Sequence, residues 1–169
     1  MLPFVSLVAA LLLLLSSASL AYVLDLTVWL FHAPVVVGVQ LALRRPFHEA
    51  AAVMLLITYL ADLMASGPPG VHGLSLTLTF LAVLAIAPRV GGRYLLASIL
   101  FAFVASLCVD LGTMLLYTLF YPEGGFASIF VLTALPTAVL TAVVCAAYMA
   151  LLNVVERRWR ERTERSVVL

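Results

Sequence analysis

The chain has 169 residues, of which 65% are hydrophobic and only 10% are charged, and its formal net charge is +1. This composition excludes a soluble domain, because a water-facing surface needs more charged side chains. The long, continuous apolar runs exclude a membrane β-barrel, whose strands alternate apolar and polar residues. The small net charge gives no reason to expect a nucleic-acid partner. The sequence therefore predicts one all-helical integral membrane domain.

Six apolar runs predict six transmembrane helices. They cover about residues 3–23, 26–43, 47–66, 72–87, 94–121 and 126–155, and a charged tail follows at 156–169. The first run resembles a signal-peptide core, but no basic residue precedes it, so cleavage is the less favoured alternative. The second run is barely long enough to cross a bilayer. His32 and Pro34 interrupt it, which is typical of a kinked or partly re-entrant helix.

The later runs carry signals for their ends and their tilt. Pro46 suits the first position of the third helix, and Glu49 in the first turn complements the helix dipole. Pro88 is expected to end the fourth helix. The fifth run would be roughly 42 Å long at 1.5 Å per residue, so we expect it to tilt or to project from the membrane.

All nine basic residues are arginines, and they form three clusters. Six spans place both termini and all three clusters on one side, and the positive-inside rule assigns that side to the cytoplasm. The tail could also bind anionic lipids, at about 1 kcal/mol per arginine, but its interleaved glutamates favour a topology anchor. The cluster members are Arg44 and Arg45, Arg89 and Arg93, and the tail arginines, among them Arg157, Arg158 and Arg160.

Two aspartates lie inside apolar runs, where a charge costs about 2.5–3.5 kcal/mol at the bilayer centre. Asp62 is about 7 Å from the outer end of the third span, and Asp110 is about 24 Å from the inner end of the fifth. Both are therefore expected in the outer half of the membrane, where the sequence offers no Lys or Arg partner. The remaining candidate partners are the N–H groups that begin the fourth helix, His72, and the hydroxyls of Thr58, Tyr59, Ser66, Ser75 and Thr113.

We expect these groups to form an outer polar cluster in which Asp62 and Asp110 tie the third, fourth and fifth spans together. The simpler alternative is that each aspartate only caps or braces its own surroundings. A substrate or ion site and a partner-binding role are further alternatives. Two carboxylates and one histidine without a ligand spacing are a poor metal site, so we expect neither a metal nor a cofactor.

The sixth span has alanines at every fourth position, which lets helices approach closely. They pack either inside the domain or against another protein's helix. The alanines are Ala134, Ala138, Ala142, Ala146 and Ala150. Cys108 and Cys145 lie in apolar runs without a Cys-x-x-Cys spacing, so we interpret both as small buried residues.

Several kinds of catalytic machinery are missing from the sequence. It has no Gly-rich nucleotide-binding loop, no nucleophile–base arrangement and no Cys/His metal pattern. We therefore expect a protein that is not an enzyme.

Two segments resemble the rod shape-determining protein MreD family of bacteria. The segment from Asp62 to Leu74, with Gly67, Gly70 and His72, is similar to the family's Asp-Leu…Gly-x-Pro/Thr-Leu-Gly-x-His/Arg turn. The Val109-Asp110-Leu111 step is similar to the position of a second family aspartate. The short basic loop at 43–46, the length, the hydropathy and the basic tail extend the likeness over most of the chain. Pro69 departs from the family's usual Leu, and the glycine that often precedes the first aspartate is missing.

The resemblance implies a non-catalytic member of the cell-wall elongation machinery in the bacterial inner membrane. It implies a bitopic partner like MreC, within a complex that includes MreB, RodZ, RodA and a penicillin-binding transpeptidase. It also implies a fold similar to the substrate-binding membrane subunits of energy-coupling-factor transporters. Asp62, Gly67, Gly70, His72 and Asp110 would then have structural or partner-contact roles.

Two other functions stay open. A substrate-capture subunit of a vitamin transporter would need an outward-facing pocket lined by groups such as Asp62, Asp110, His72 and Tyr117. Such subunits often carry an Ala-x-x-x-Ala pair on the first helix, and this chain has none there. An ion or proton pathway would need ionisable residues that continue inward from the two aspartates, and the sequence has none.

Overall fold

The computed structural model describes residues 31–65, 68–90, 95–121 and 127–167, together with positions 12, 13, 15, 16 and 19. Within these ranges the protein is all-helical. Five helices follow one another: α1 Ala33–Arg44, α2 Phe47–Met64, α3 Val71–Val90, α4 Leu95–Phe120 and α5 Ala127–Val167. The predicted first span, at 3–23, falls almost wholly outside the described residues.

Three helical segments are long and apolar enough to cross a membrane, namely Phe47–Met64, Leu95–Phe120 and Leu132–Val155. Two shorter apolar helices, Ala33–Arg44 and Val71–Ala87, accompany them. Large apolar side chains such as Leu96 and Leu132 are exposed on the outside of the bundle, as expected where lipid replaces water. The chain is therefore a helical membrane protein, and the number of crossings stays a prediction.

The second predicted span, 26–43, is interrupted at His32, as its sequence indicated, and residues 26–30 lie outside the described part of the chain. Phe31 and His32 are not helical, and α1 begins at Ala33. Its 12 residues extend only about 18 Å, against a hydrocarbon core of about 30 Å. Pro34 explains the start, because proline is favoured in the first helical turn, where its missing N–H is no loss.

Other helix ends also differ from the sequence prediction. Pro46 is the N-cap of α2 rather than its first helical residue. Pro88 does not end α3, which continues to Val90. The charged tail continues the last span as a helix end, because α5 is one helix of 41 residues. Its apolar section ends at Val155, and charged residues follow on the same helix.

The short helix α1 is the centre of the bundle. All residues from Phe31 to Ala42 are buried, and α1 contacts each of the other four helices. Polar contacts near both of its ends join it to α5. The His32 N–H donates to Thr141 Oγ1 at 3.0 Å, and Arg44 Nη2 donates to Asn153 Oδ1 at 2.6 Å. The two contacts are twelve residues apart on both helices, so α1 and α5 are parallel and in register.

The core around α1 is tightly packed. Gly38 lets α1 approach α2 and α3, because an added Cβ would lie 3.2 Å from Met54 Cε and 3.3 Å from Phe80 Cδ2. A small apolar cavity among these residues has a volume of about 10 Å³, which holds at most one water molecule.

A second close approach joins α3 to α4. Ser75 Oγ donates to the carbonyl oxygen of Val109 at 2.8 Å, and an added Cβ at Gly112 would lie 2.6 Å from that Oγ. We expect Gly112→Ala to displace the hydroxyl and to lower the free energy of unfolding by about 1 kcal/mol, the usual net value of one hydrogen bond.

Equilibrium unfolding in mixed detergent micelles measures this effect. Ser75→Ala is the matched background, because the Ser75 Cβ would be 3.6 Å from the added Cβ, an ordinary contact. Gly112→Ala should therefore cost less in Ser75→Ala than in the wild type. Equal costs in both backgrounds would contradict the interpretation.

Candidate functional site

Asp62 caps the start of α3 from the last turn of α2. Its Oδ2 accepts the Gly70 N–H at 2.6 Å, and its Oδ1 accepts the Gly73 N–H at 2.8 Å. The first N–H groups of a helix have no partner within the helix and carry partial positive charge. The aspartate therefore does for α3 what an N-cap side chain usually does, from a position eight to eleven residues earlier. Of the partners predicted for Asp62, the N–H groups at the start of α3 bind its carboxylate.

Gly73 leaves room for this contact, and the sequence reasoning gave it no role. An added Cβ at Gly73 would lie 3.2 Å from Asp62 Cβ and 3.3 Å from Asp62 Cγ. Such distances are tighter than normal van der Waals contact, so a side chain there would push the carboxylate away. The signal in the sequence was the Gly70-x-x-Gly73 spacing at the start of an apolar run, which exposes the backbone to a close neighbour.

At Gly70 the backbone conformation, and not a close neighbour, favours glycine. Its φ is +93°, and nothing lies within 4 Å of an added Cβ. A side chain there would meet no steric contact, but the backbone conformation is one that L-residues rarely adopt. Gly67 lies outside the described residues.

We expect Gly70→Ala to lower the free energy of unfolding by about 1 kcal/mol through backbone strain alone. Thermal unfolding in detergent measures the loss. Gly70→Asn is the matched variant and should lose less, because asparagine tolerates positive φ better than alanine. A larger loss for Asn than for Ala would show that crowding, and not backbone strain, controls this position.

Asp110 pairs with His32, which the sequence reasoning did not propose as a partner. His32 Nε2 lies 2.8 Å from Asp110 Oδ1, and the two residues are only 4% and 7% exposed. His32 was treated as an interruption of an apolar run. A histidine in such a run is itself a signal, because a buried imidazole needs a polar partner.

The His32–Asp110 pair belongs to a polar junction at the start of α1. Thr141 Oγ1 accepts the His32 N–H and donates to the Thr137 carbonyl at 2.7 Å. Ser106 Oγ lies 3.4 Å from the same Thr141 Oγ1. These contacts join α1, α4 and α5, and we refer to His32, Ser106, Asp110 and Thr141 as the α1 junction.

The backbone at the start of α1 is also satisfied. The Ala33 N–H donates to the Phe31 carbonyl, and the N–H groups of Val35 and Val36 both donate to the His32 carbonyl. Pro34 has no N–H to satisfy. A helix can begin inside an apolar bundle only when its free N–H groups find such partners.

Within the predicted polar cluster, the two aspartates have separate hydrogen-bond partners. Asp62 joins α2 to α3, whereas Asp110 joins α4 to α1. His72, in the first turn of α3, lies between them, with its ring centroid 6.0 Å from that of His32. His72 also interacts electrostatically with both aspartates.

The remaining candidate hydroxyls differ in their surroundings. Thr58 Oγ1 donates to the Leu55 carbonyl within α2, and Tyr59 is exposed. Thr113 is buried, and its Oγ1 has no hydrogen-bond partner in the described part of the chain. Ser66 lies outside it.

The alanine series on α5 faces the bundle only in part. Ala138 and Ala142 are buried, Ala134 and Ala146 are half-buried, and Ala150 is exposed. Since α5 packs most extensively on α4, the buried alanines serve internal packing. Cys145 is buried as expected, but Cys108 is exposed, because it lies on the apolar outer face of α4.

The described arginines lie at the ends of the apolar helical segments or just beyond them. Arg44 is the last residue of α1, and Arg45 Nη1 is 3.7 Å from Glu49 Oε2. Arg89 lies near the end of α3, and Arg93 falls outside the described residues. Arg157, Arg158 and Arg160 follow the apolar section of α5.

Among the described residues, no three His, Cys, Asp or Glu side chains are arranged to hold a metal ion. Comparisons of the chain with protein-family models, with curated proteins and with solved structures find no match.

Proposed function

We propose that this chain is a non-catalytic membrane scaffold of the bacterial cell-wall elongation machinery, similar to the MreD family. In this role it binds a bitopic MreC-like partner in the inner membrane and helps to organise MreB, RodZ, RodA and a penicillin-binding transpeptidase. Both termini are in the cytoplasm, on the side of the arginine clusters. The proposal rests on the resemblance in residues 62–74 and at Asp110.

The observation that carries the proposal is the pair of hydrogen bonds from Gly70 and Gly73 to Asp62. Residues of the resembling motif therefore contact one another, because the Asp62 carboxylate accepts the N–H groups of the two glycines at the start of α3. Both carboxylate oxygens of Asp62 accept a backbone N–H, so the motif builds a defined turn between α2 and α3. A turn that hydrogen bonds hold in one conformation is suited to bind a partner protein.

The runner-up is a substrate-capture subunit of a vitamin transporter. It requires a pocket of about 300–1,000 Å³, the usual size for a small-molecule site. In the described part of the chain, the apolar cavity beside Gly38 and Met54 has a volume of about 10 Å³, and it is not lined by the groups named for such a pocket. Asp62, one of the residues needed for such a pocket, is engaged in capping. These observations favour the scaffold.

Affinity purification of the tagged full-length protein from its own membranes, followed by mass spectrometry, tests the proposal. We expect stoichiometric recovery of a bitopic coiled-coil protein together with wall-synthesis enzymes. Recovery of ABC-type ATPases with a coupling subunit, or of a bound vitamin-like molecule, would overturn it.

A further inference from the structure

Two arginines at the end of α1 lie beside the last apolar turn of α5. Arg44 is the last residue of α1, and Arg45 follows it. Arg44 Nη2 donates to Asn153 Oδ1 at 2.6 Å, and the apolar section of α5 ends just beyond this contact, at Val155. The arginines therefore lie where the apolar part of the bundle meets its charged end, which is the depth of lipid headgroups.

A third arginine comes from α5 itself. Arg157 is one helical turn beyond Asn153, so the two side chains project from the same face of the helix, and both are exposed. The hydrogen bond between Arg44 and Asn153 holds that face against the end of α1. We refer to Arg44, Arg45 and Arg157 as the basic end.

The basic end carries more positive charge than its described surroundings neutralise. Glu49 is the only acidic side chain that the structure describes at this end of the bundle, and its Oε2 is 3.7 Å from Arg45 Nη1. One carboxylate offsets one guanidinium group of the three. The partial negative charge at the end of α1 changes little, because the positive start of α2 follows directly at Phe47 and cancels it. An anionic ligand would therefore relieve the repulsion between like charges.

Exposed apolar side chains lie next to the basic end. Ala150 and Val154 precede Arg157 on the same face of α5, and Phe47 begins α2 directly after the arginines of α1. Val154 is 51% exposed, and Phe47 is 64% exposed. An anionic group that carries hydrocarbon chains would contact both parts of this surface, whereas inorganic phosphate would contact only the arginines. Basic sites between membrane helices bind lipid headgroups in this way.

We propose that the basic end binds the phosphate group of an anionic phospholipid, whose acyl chains lie along the exposed apolar faces of α5 and α2. Guanidinium groups suit this ligand, because each presents several N–H donors in one plane to the phosphate oxygens. Arg45 and Arg157 supply charge and donors, and Asn153 positions Arg44. The bound lipid links the end of α1 to α5 and to the start of α2. This proposal does not depend on the scaffold function.

Native mass spectrometry of the purified full-length protein tests the proposal, with phosphatidylglycerol and phosphatidylcholine of the same acyl chains as the two probes. We expect the wild type to bind one phosphatidylglycerol more tightly than it binds phosphatidylcholine. Replacing Arg45 and Arg157 together by glutamine should weaken this binding about 30-fold, because each arginine near a lipid surface contributes about a factor of five in affinity. The bond between Arg44 and Asn153 remains in this variant, so we expect it to fold.

The matched control replaces Arg162 and Arg165 by glutamine, which removes the same charge further along α5. Arg165 is about 12 Å beyond Arg157 along the helix, so the control should bind phosphatidylglycerol as the wild type does. Equal losses in the two variants, or equal binding of the two lipids by the wild type, would overturn the proposal. Inorganic phosphate at the same concentration should leave the lipid in place, and displacement would assign the site to a soluble anion instead.

Photo-cross-linking locates the lipid in the wild type without any substitution. A phosphatidylglycerol analogue with a diazirine in its headgroup should label residues 43–47 and 153–157, because these segments flank the three guanidinium groups. Labelling that is spread evenly over the ends of the other helices would overturn the proposal.

Discussion

Replacing Asp110 by alanine is expected to lower the free energy of unfolding by about 3 kcal/mol, because the buried His32 imidazole loses its partner. The pair is the only direct side-chain bond between the start of α1 and α4 among the described residues. The alanine cannot reach His32, and water has little access to a site that is 4% to 7% exposed. Unfolding by sodium dodecyl sulfate in mixed micelles measures the change.

Asp110→Asn should cost much less than Asp110→Ala, because the amide keeps the size of the side chain and a polar contact with His32. Leu111→Ala is the matched control on the same helix, since Leu111 is 58% exposed and points away from the bundle. The interpretation is wrong if Asp110→Ala and the Leu111→Ala control have the same free energy of unfolding.

Replacing Asp62 by leucine is expected to lower the free energy of unfolding by about 2 kcal/mol, which is in the range of a lost helix cap. Leucine is similar in size, but it leaves the N–H groups of Gly70 and Gly73 without their acceptor. The start of α3 should fray, so amide exchange should rise first at these two glycines. Hydrogen exchange followed by mass spectrometry detects this local effect, and thermal unfolding in detergent detects the global one.

Asp62→Asn should retain the fold, because the amide oxygen still accepts one of the two N–H groups. Leu63→Ala, at a 64% exposed neighbour, is the control for helix composition. Equal thermal stability of the wild type and Asp62→Leu would remove the capping role, and with it the observation that supports the proposed scaffold function.

Much of the helical architecture could be predicted because its signals are local. The helices α2 and α4 nearly coincide with the predicted spans 47–66 and 94–121. A long apolar run that ends at Gly or Pro can be recognised without reference to the rest of the chain. The ends at Pro46 and Pro88 were harder to predict. A proline is compatible with several positions near a helix terminus, and neighbouring helices determine which one is used.

The site was predicted only in part. The helix N-terminus was among the partners foreseen for Asp62, because both belong to one turn. His32 was not foreseen as the partner of Asp110, because the two residues are 78 positions apart in the chain. The roles of Gly73 and Gly112 were not predicted either. Each glycine leaves space for an atom of another helix, and the local sequence does not show that neighbour.

The sequence by itself determined that this protein is a helical membrane protein, because composition and the length of apolar runs decide transfer into lipid without reference to other segments. It also determined that two carboxylates, at positions 62 and 110, lie within apolar runs. Only the tertiary structure decided that α1 is a short buried helix, and that its start is held by His32, Asp110 and Thr141. The physical reason is that a helix can begin inside a bundle only if other helices supply hydrogen-bond partners, and the order of residues does not reveal which ones do.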